Sequence, residues 1–199
     1  MTEPQGRLVL IRHGQTEWSA SGKHTGMTDI PLTEQGEAEA RALASLLTGY
    51  DFGAVLSSPL VRARRTAELA GLTAEIDDDL REWDYGGYEG RTTKEIRAEL
   101  GHDWTVFADG VVPGATPGEL LEEVAARAAR VLAKVAPVLA ERDVALVGHG
   151  HTSRILAATY LQQQPRFAGQ LLLDSGTIGV LEVEREVPAI RLWNHRADR

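Results

Sequence analysis

Short apolar runs alternate along this chain with longer stretches in which apolar side chains recur every three or four positions. Leu8–Arg12 reads Leu-Val-Leu-Ile-Arg, a run without polar interruption until its last residue, as expected of a strand buried on both faces. Ala54–Ser57 and Val144–Val147 repeat that signal, and Ala74–Asp77 carries a weaker version of it. Thr33 offers a helix cap ahead of a stripe through Ala38, Ala42, Leu43, Leu46 and Leu47. Ser58-Pro59 predicts the opening of a second helix, because proline suits a first turn. Thr116-Pro-Gly-Glu119 combines a capping box with proline at the first helical position, and predicts a long helix with Leu120, Val124, Ala128, Val131, Leu132, Val135 and Leu139 on one face. His151–Leu161 reads as the next helix, and two strands near Thr177–Val183 and Ala189–Trp193 close the pattern.

Strands alternating with helices predict an α/β fold. The expected form is a three-layer sandwich with a mainly parallel central sheet, helices on both faces and a small lid. The lid is Trp83–Gly114, rich in glycine, aromatics and charge, with one helix near Thr93–Leu100. No internal repeat or linker divides residues 1–199, so one domain is expected.

Bulk composition narrows the function. With 43% hydrophobic and 25% charged residues the chain is ordinary for a globular protein. It has no cysteine, which excludes disulfides, thiolate zinc sites and a thiol nucleophile. The polar start Met1–Gly6 lacks the pattern of a signal peptide, and no run approaches the roughly 20 apolar residues of a membrane span. A cytoplasmic protein is expected. A net charge of −8 disfavours nucleic acid and anionic membranes as partners. An anionic small molecule would then need a local positive pocket.

Four segments, each following a strand, offer such a pocket. Arg12 and His13 end the first strand, with Gly14 to turn the backbone. Arg62 lies near the start of the helix after Ser57-Ser-Pro. Glu82 sits in the loop Glu-Trp-Asp-Tyr-Gly, and His149 follows the buried strand ending in Val147-Gly148. Singly, each has a plainer explanation: Arg62 as part of a solvated basic face with Arg64 and Arg65, Glu82 as a surface charge, His149 as a capping or core residue. The His149-Gly-His151 spacing also suits a metal, but the further carboxylates or imidazoles a metal wants are not evident. In open α/β sheets ligands bind beyond the carboxyl ends of the strands, so together these groups would converge on one mouth. Two arginines and one histidine would neutralise phosphate oxygens, the other histidine would attack phosphorus, and the glutamate would protonate the departing alkoxide.

In these residues the chain resembles the histidine phosphatase superfamily over essentially its whole length. The resemblance rests on Ile11-Arg-His-Gly-Gln-Thr-Glu-Trp18, Thr25-Gly-Met-Thr-Asp-Ile-Pro-Leu-Thr33, Ser57-Ser-Pro-Leu-Val-Arg62-Ala, Glu82-Trp-Asp-Tyr-Gly86 and Val147-Gly-His-Gly150. It implies that His13 becomes phosphohistidine, that Arg12, Arg62 and His149 hold the phosphoryl group, and that Glu82 is the proton donor. Many relatives have a phosphate-binding Asn where this chain has the shorter Ser19, which is the candidate for that contact here. The pattern Glu82–Gly90 and the Thr25-Gly26 segment are most similar to the acid phosphatases and sedoheptulose-bisphosphatases of the superfamily. Mutases of the family carry Arg and His after the glutamate and more basic residues in the inserted region, where this chain has Trp83-Asp84-Tyr85 and only Arg91, Lys94 and Arg97. The expected activity is therefore hydrolysis of small phosphorylated metabolites, with mutase activity as the alternative and a non-catalytic phospho-ligand binder as a third. No metal or organic cofactor is expected, and a homodimer is in keeping with the family. Trp83, Tyr85 and Tyr88 would wall the leaving-group pocket or else pin the lid to the core. Lys23, His24, Thr25, Gly26, Gly150, His151 and Arg154 are candidates for contact with the substrate.

Overall fold

The computed structural model describes residues 6–197, so the leader expectation for Met1–Gly6 lies almost wholly outside the described residues. In chain order the elements are β1 (Leu8–Arg12), α1 (Glu17–Ser21), α2 (Glu34–Leu47), β2 (Phe52–Ser57), α3 (Val61–Leu69), β3 (Glu75–Ile76), α4 (Thr93–Leu100), α5 (Val106–Asp109), α6 (Leu121–Leu139), β4 (Asp143–Gly148), α7 (Gly150–Tyr160), β5 (Ile178–Glu184) and β6 (Val187–His195). Short 3-10 turns occupy Asp78–Leu80 and Pro165–Gln170. The six strands form one sheet in the order β3-β2-β4-β1-β5-β6. β3, β2, β4 and β1 run parallel, while β5 and β6 are antiparallel additions at one side.

Residues alternate between the two faces of a strand, and the packing follows that rule. Leu8 and Leu10 of β1, with Val144 and Leu146 of β4, face a core shared with α6, α7 and the inserted segment. Val9, Ile11, Ala145 and Val147 face the opposite core, shared with α2 and α3. All four residues Leu8–Ile11 are fully buried. The expected three layers are thus present, with helices on both faces of the sheet.

Element starts differ from expectation, and the caps explain why. α6 begins at Leu121, not near Thr116: the Glu123 carboxylate accepts from the Leu120 N–H at 2.7 Å, while the Thr116 hydroxyl turns to Asp84. Gly118 has φ +76°, so the chain makes a left-handed turn there, and Leu120 stays 62% exposed. α3 begins at Val61, two residues after Pro59. In α2 the buried face is Gly36, Ala40, Leu43 and Leu47, so Ala38 and Ala42 are exposed. That rotation follows from Gly36, which packs against the Gln15 backbone so closely that a Cβ would lie 2.0 Å from the Gln15 carbonyl oxygen. Gly14 makes the reciprocal contact with the Gly36 carbonyl oxygen, at 2.1 Å from an added Cβ. The loop after β1 is thereby seated on the start of α2.

The inserted segment is a packed wall. Its side chains Trp83, Tyr85, Tyr88, Ile96, Trp104, Val106 and Phe107 all belong to the α6/α7 core.

Candidate active site

Register brings the chemical groups to one edge. Arg12 pairs with Gly148 and Ser57 with Val147, so β1, β2 and β4 end level with one another. His13 donates its backbone N–H to Gly148, and Ser58 to Val147. The next residues out, His13, Ser58 and His149, emerge side by side, and the rings of His13 and His149 lie 5.2 Å apart edge to face.

His13 is 4% exposed. Its Nδ1 lies 2.7 Å from the Gly14 carbonyl oxygen. A carbonyl only accepts, so Nδ1 carries the proton and Nε2 presents a lone pair. Burial, then the charges of Arg62 and Arg12, lower its pKa to about 3, which keeps the ring neutral at ordinary pH.

Arg62 is fully buried, not part of a solvated face. It donates to the carbonyls of Thr28 (2.9 Å), Thr25 (3.1 Å) and Gly26 (2.9 Å), and through Nε to His149 Nδ1 at 3.2 Å. Thr66 ties this helix to the first loop, donating to the Arg62 carbonyl and accepting from the Gly14 N–H. Arg12 donates to the Leu173 carbonyl and lies against Gly150, where an added Cβ would meet its guanidinium carbon at 3.1 Å. The Arg12 Nε is buried with no hydrogen-bond partner. Among the described residues no carboxylate pairs with either guanidinium. Buried charge is costly without a counter-charge, so this floor is short of an anion.

His149 corrects the expectation of a third cation. Its Nδ1 accepts from Arg62, so Nε2 holds the proton and faces the Ser58 hydroxyl at 2.7 Å. Burial and the neighbouring Arg62 hold its pKa well below the usual histidine range. Both ring nitrogens are engaged by protein, and the ring is neutral.

Glu82 is also buried, not a surface charge. Its carboxylate accepts from the backbone N–H groups of Trp83 (2.9 Å), His151 (3.0 Å) and Thr152 (2.9 Å), and from the Thr152 hydroxyl (3.0 Å). Two of those N–H groups belong to the first turn of α7, where negative charge is favoured. Burial alone would raise its pKa; the His151 charge and these N–H groups outweigh that and lower it to about 2. Because His151 itself is neutral above about 3, the N–H groups hold the carboxylate at neutral pH. Resting Glu82 is therefore ionised.

Arg12, His13, Ser19, Lys23, His24, Thr25, Glu82, Tyr85, Gly150, His151 and Arg154 line one pocket. Arg62 and His149 lie outside that lining. Two candidates, Trp83 and Gly26, are corrected, and of the two expectations for Tyr88 the structure shows the second. Trp83 is fully buried with its indole N–H on the Glu119 carbonyl, so it supports the core and does not wall the pocket. Tyr88 packs edge-on against Trp104 at 5.0 Å and pins the inserted segment. Gly26 is held by Glu89 and has no room for a side chain, since a Cβ would lie 2.4 Å from the Trp83 carbonyl oxygen. Ser19 reaches the pocket, but its hydroxyl is already committed to capping α1 with Thr16. The supporting residues Ser58, Thr66, Glu89 and Thr152 were not singled out in the sequence. Ser58 and Glu89 lie within segments that resemble the family, but nothing local marks their partners. Among the described residues no group of three or more His, Asp or Glu is set to hold a metal. No helix among them is long and apolar enough to cross a membrane.

Several known proteins are similar to this chain. An acid phosphatase of Mycobacterium tuberculosis is 37% identical over 195 residues, 95% of this chain and 94% of that protein. Sedoheptulose 1,7-bisphosphatase of Saccharomyces cerevisiae is 35% identical over 185 residues, 77% of this chain and 67% of its own. A solved structure of an open reading frame product from Mycobacterium tuberculosis superposes with a TM-score of 0.90 at 35% identity, covering 97% of this chain and 99% of that one. Bisphosphoglycerate-dependent phosphoglycerate mutases are also similar, at 34% to 40% identity. The family model for the histidine phosphatase superfamily (branch 1) matches residues 8–196. The chain belongs to the histidine phosphatase superfamily.

Proposed function

We propose that this protein hydrolyses phosphate monoesters of small metabolites through a phosphohistidine on His13. The observation that carries this reading is the pairing of a neutral His13, its Nε2 lone pair free, with two arginine charges that form no ion pair with a carboxylate among the described residues. The phosphoryl group sits against Arg12, whose buried Nε lacks an acceptor, and Arg62 lends its charge from beneath. Nε2 of His13 attacks phosphorus, the P–O bond to the leaving group breaks, and charge spread over the equatorial oxygens is met by the cations. His149 positions Arg62 through Nδ1 and is itself fixed by Ser58.

The leaving oxygen must take up a proton. Glu82 rests ionised, so that proton enters with the substrate: a phosphate ester has a second pKa of about 6, and its monoanion carries one. Glu82 relays the proton to the leaving alkoxide. As a carboxylate again, it then accepts a proton from the water that attacks phosphohistidine, releasing phosphate.

Hydrolysis is favoured over phosphoryl return to a second hydroxyl by what surrounds the pocket. Of the three cations in the inserted segment, Arg91 pairs with Glu99 and Arg97 with the Trp104 carbonyl, and none of Arg91, Lys94 and Arg97 lines the pocket. A cytoplasmic setting and a homodimer belong to the same proposal. The test is a panel of phosphorylated metabolites assayed for released phosphate with a chelator present, including 3-phosphoglycerate primed with 2,3-bisphosphoglycerate. Phosphate release from sugar phosphates is expected. Fast isomerisation of 3-phosphoglycerate with little free phosphate would overturn it.

A further inference from the structure

Thr116-Pro-Gly-Glu119 does not cap α6, and Glu119 is engaged elsewhere. The left-handed turn at Gly118 sets Glu119 ahead of the helix, outside its first turn. There its carboxylate meets Arg127 of α6 in a forked pair: Nε donates to Oε1 at 2.7 Å and Nη2 to Oε2 at 2.9 Å. Both side chains are mostly buried, Arg127 at 12% and Glu119 at 23% exposed. Neither lines the active-site pocket, and both line a separate surface recess.

The pair grips the backbone on both sides of Glu82. Before it, Arg127 Nη1 donates to the carbonyls of Asp79 at 2.6 Å and Arg81 at 3.1 Å. After it, the Glu119 carboxylate accepts from the Asp84 N–H at 3.0 Å, and the Glu119 carbonyl accepts from the Trp83 indole at 2.8 Å. The Glu119 N–H returns a bond to the Asp84 carbonyl at 3.0 Å. Glu82 lies in no helix or strand, so no regular ladder of hydrogen bonds locates its backbone. The N–H groups of α7 hold its carboxylate, and the pair on the α6 side holds the chain that carries it. A forked guanidinium–carboxylate contact has one preferred geometry. Its planar donors also reach the two carbonyls at once, which a single ammonium cannot do.

We propose that Arg127 and Glu119 are positioning residues for Glu82, which set proton delivery to the leaving oxygen without touching the substrate. This rests on the phosphatase reading of the main site, in which Glu82 relays that proton. Displacing a reacting group by about 1 Å costs on the order of 10²-fold in rate. Loss of the brace is therefore felt where the leaving group needs a proton, and little where it does not.

The experiment compares kcat/KM for fructose 6-phosphate with that for p-nitrophenyl phosphate, whose leaving group departs without a proton. This parameter reports phosphoryl transfer to His13 and not the later hydrolysis, in which Glu82 serves both substrates alike. Arg127→Met should lower the sugar phosphate by ~10–10²-fold and the aryl ester by less than ~3-fold. Arg127→Lys, with a single nitrogen to share among the same acceptors, should give a smaller loss of the same selectivity. Where Glu82→Gln has already broken the proton route, adding Arg127→Met should cost the sugar phosphate no more than ~3-fold further. A purely structural Arg127 would lower both substrates alike, and by the same factor with or without the Glu82 carboxylate. Either result overturns the brace and leaves the phosphatase reading intact. If Arg127→Met does not fold, the absence of a selective loss in Arg127→Lys overturns it instead. Failure of the wild type to release phosphate from both esters removes both readings.

Discussion

At the phosphoryl end of the cleft, Arg12, His13, Ser58 and His149 leave the ends of three parallel strands in register, and Arg62 follows in the first turn of α3. At the other end, Tyr85, Trp104 and Phe107 come from the segment between β3 and α6, and His24 meets that segment through its backbone bonds to Gly90 and Arg91, its ring contacts with Tyr85 and Trp104, and Thr93. The first region is held by backbone carbonyls and carries unpaired positive charge. The second is mostly neutral rings, with one cation in Arg154. Strand ends fix a reacting centre because a sheet permits little relative movement. A segment joined to the core by aromatic packing can change its lining without disturbing that centre. On the function proposed, reaction type resides at the strand exits, and substrate choice at the far end of the cleft, where the inserted wall meets His24, His151 and Arg154.

The comparison can be broken from the phosphoryl end first. Removing the attacking ring with His13→Ala should lower kcat by at least ~10³-fold, as loss of a nucleophile does elsewhere, for every substrate alike. Retention of normal turnover would remove the reaction proposed. Glu82→Gln should cost ~10²–10⁴-fold, the range of general acid–base catalysis. The loss should be larger for a sugar phosphate than for p-nitrophenyl phosphate, whose leaving group needs no proton. An equal loss on both would place Glu82 in a structural role.

The pH profile sharpens the same contrast. His13 stays unprotonated down to about 3, and the substrate monoanion is lost above about 6. Turnover measured as kcat/KM should peak between those limits and fall ~10-fold per unit above pH 6, about 10²-fold by pH 8. Stability should change on the other side of pH 6. His13, His24, His149 and His151 all have folded pKa values below the unfolded 6.5. Their contribution is fully present above 6.5 and is lost as pH falls from there towards about 3. Melting temperature should drop across the range in which turnover is level and highest, and a flat melting profile from pH 7 to 4 would contradict the neutral, buried imidazoles. The smallest effect belongs to the far end: Tyr85→Phe removes one hydrogen bond to His151 and should raise KM by ~3–10-fold with little change in kcat.

The sheet was readable in the sequence because β1 and β4 are buried on both faces and leave unbroken apolar runs, with a shorter run at the buried end of β2. The start of α6 was not, because Thr116-Pro-Gly-Glu119 has every local mark of a cap, yet Thr116 finds Asp84 from a distant loop. The same divide runs through the site. Arg12, His13, Arg62, Glu82 and His149 stand out as polar residues at strand exits or just beyond them. Their protonation does not, since it depends on partners such as Ser58, 91 residues away from His149. Trp83 and Tyr85 look equivalent in a loop without periodicity. Only the packing shows that one supports the core and the other faces the pocket.

The most direct test is to quench the wild-type enzyme in alkali during turnover of ³²P-labelled p-nitrophenyl phosphate and map the label by mass spectrometry. An acid-labile, alkali-stable phosphoryl group on His13, absent from His13→Ala, is the predicted result. Steady hydrolysis with no label on His13, or with label on another residue, would contradict it.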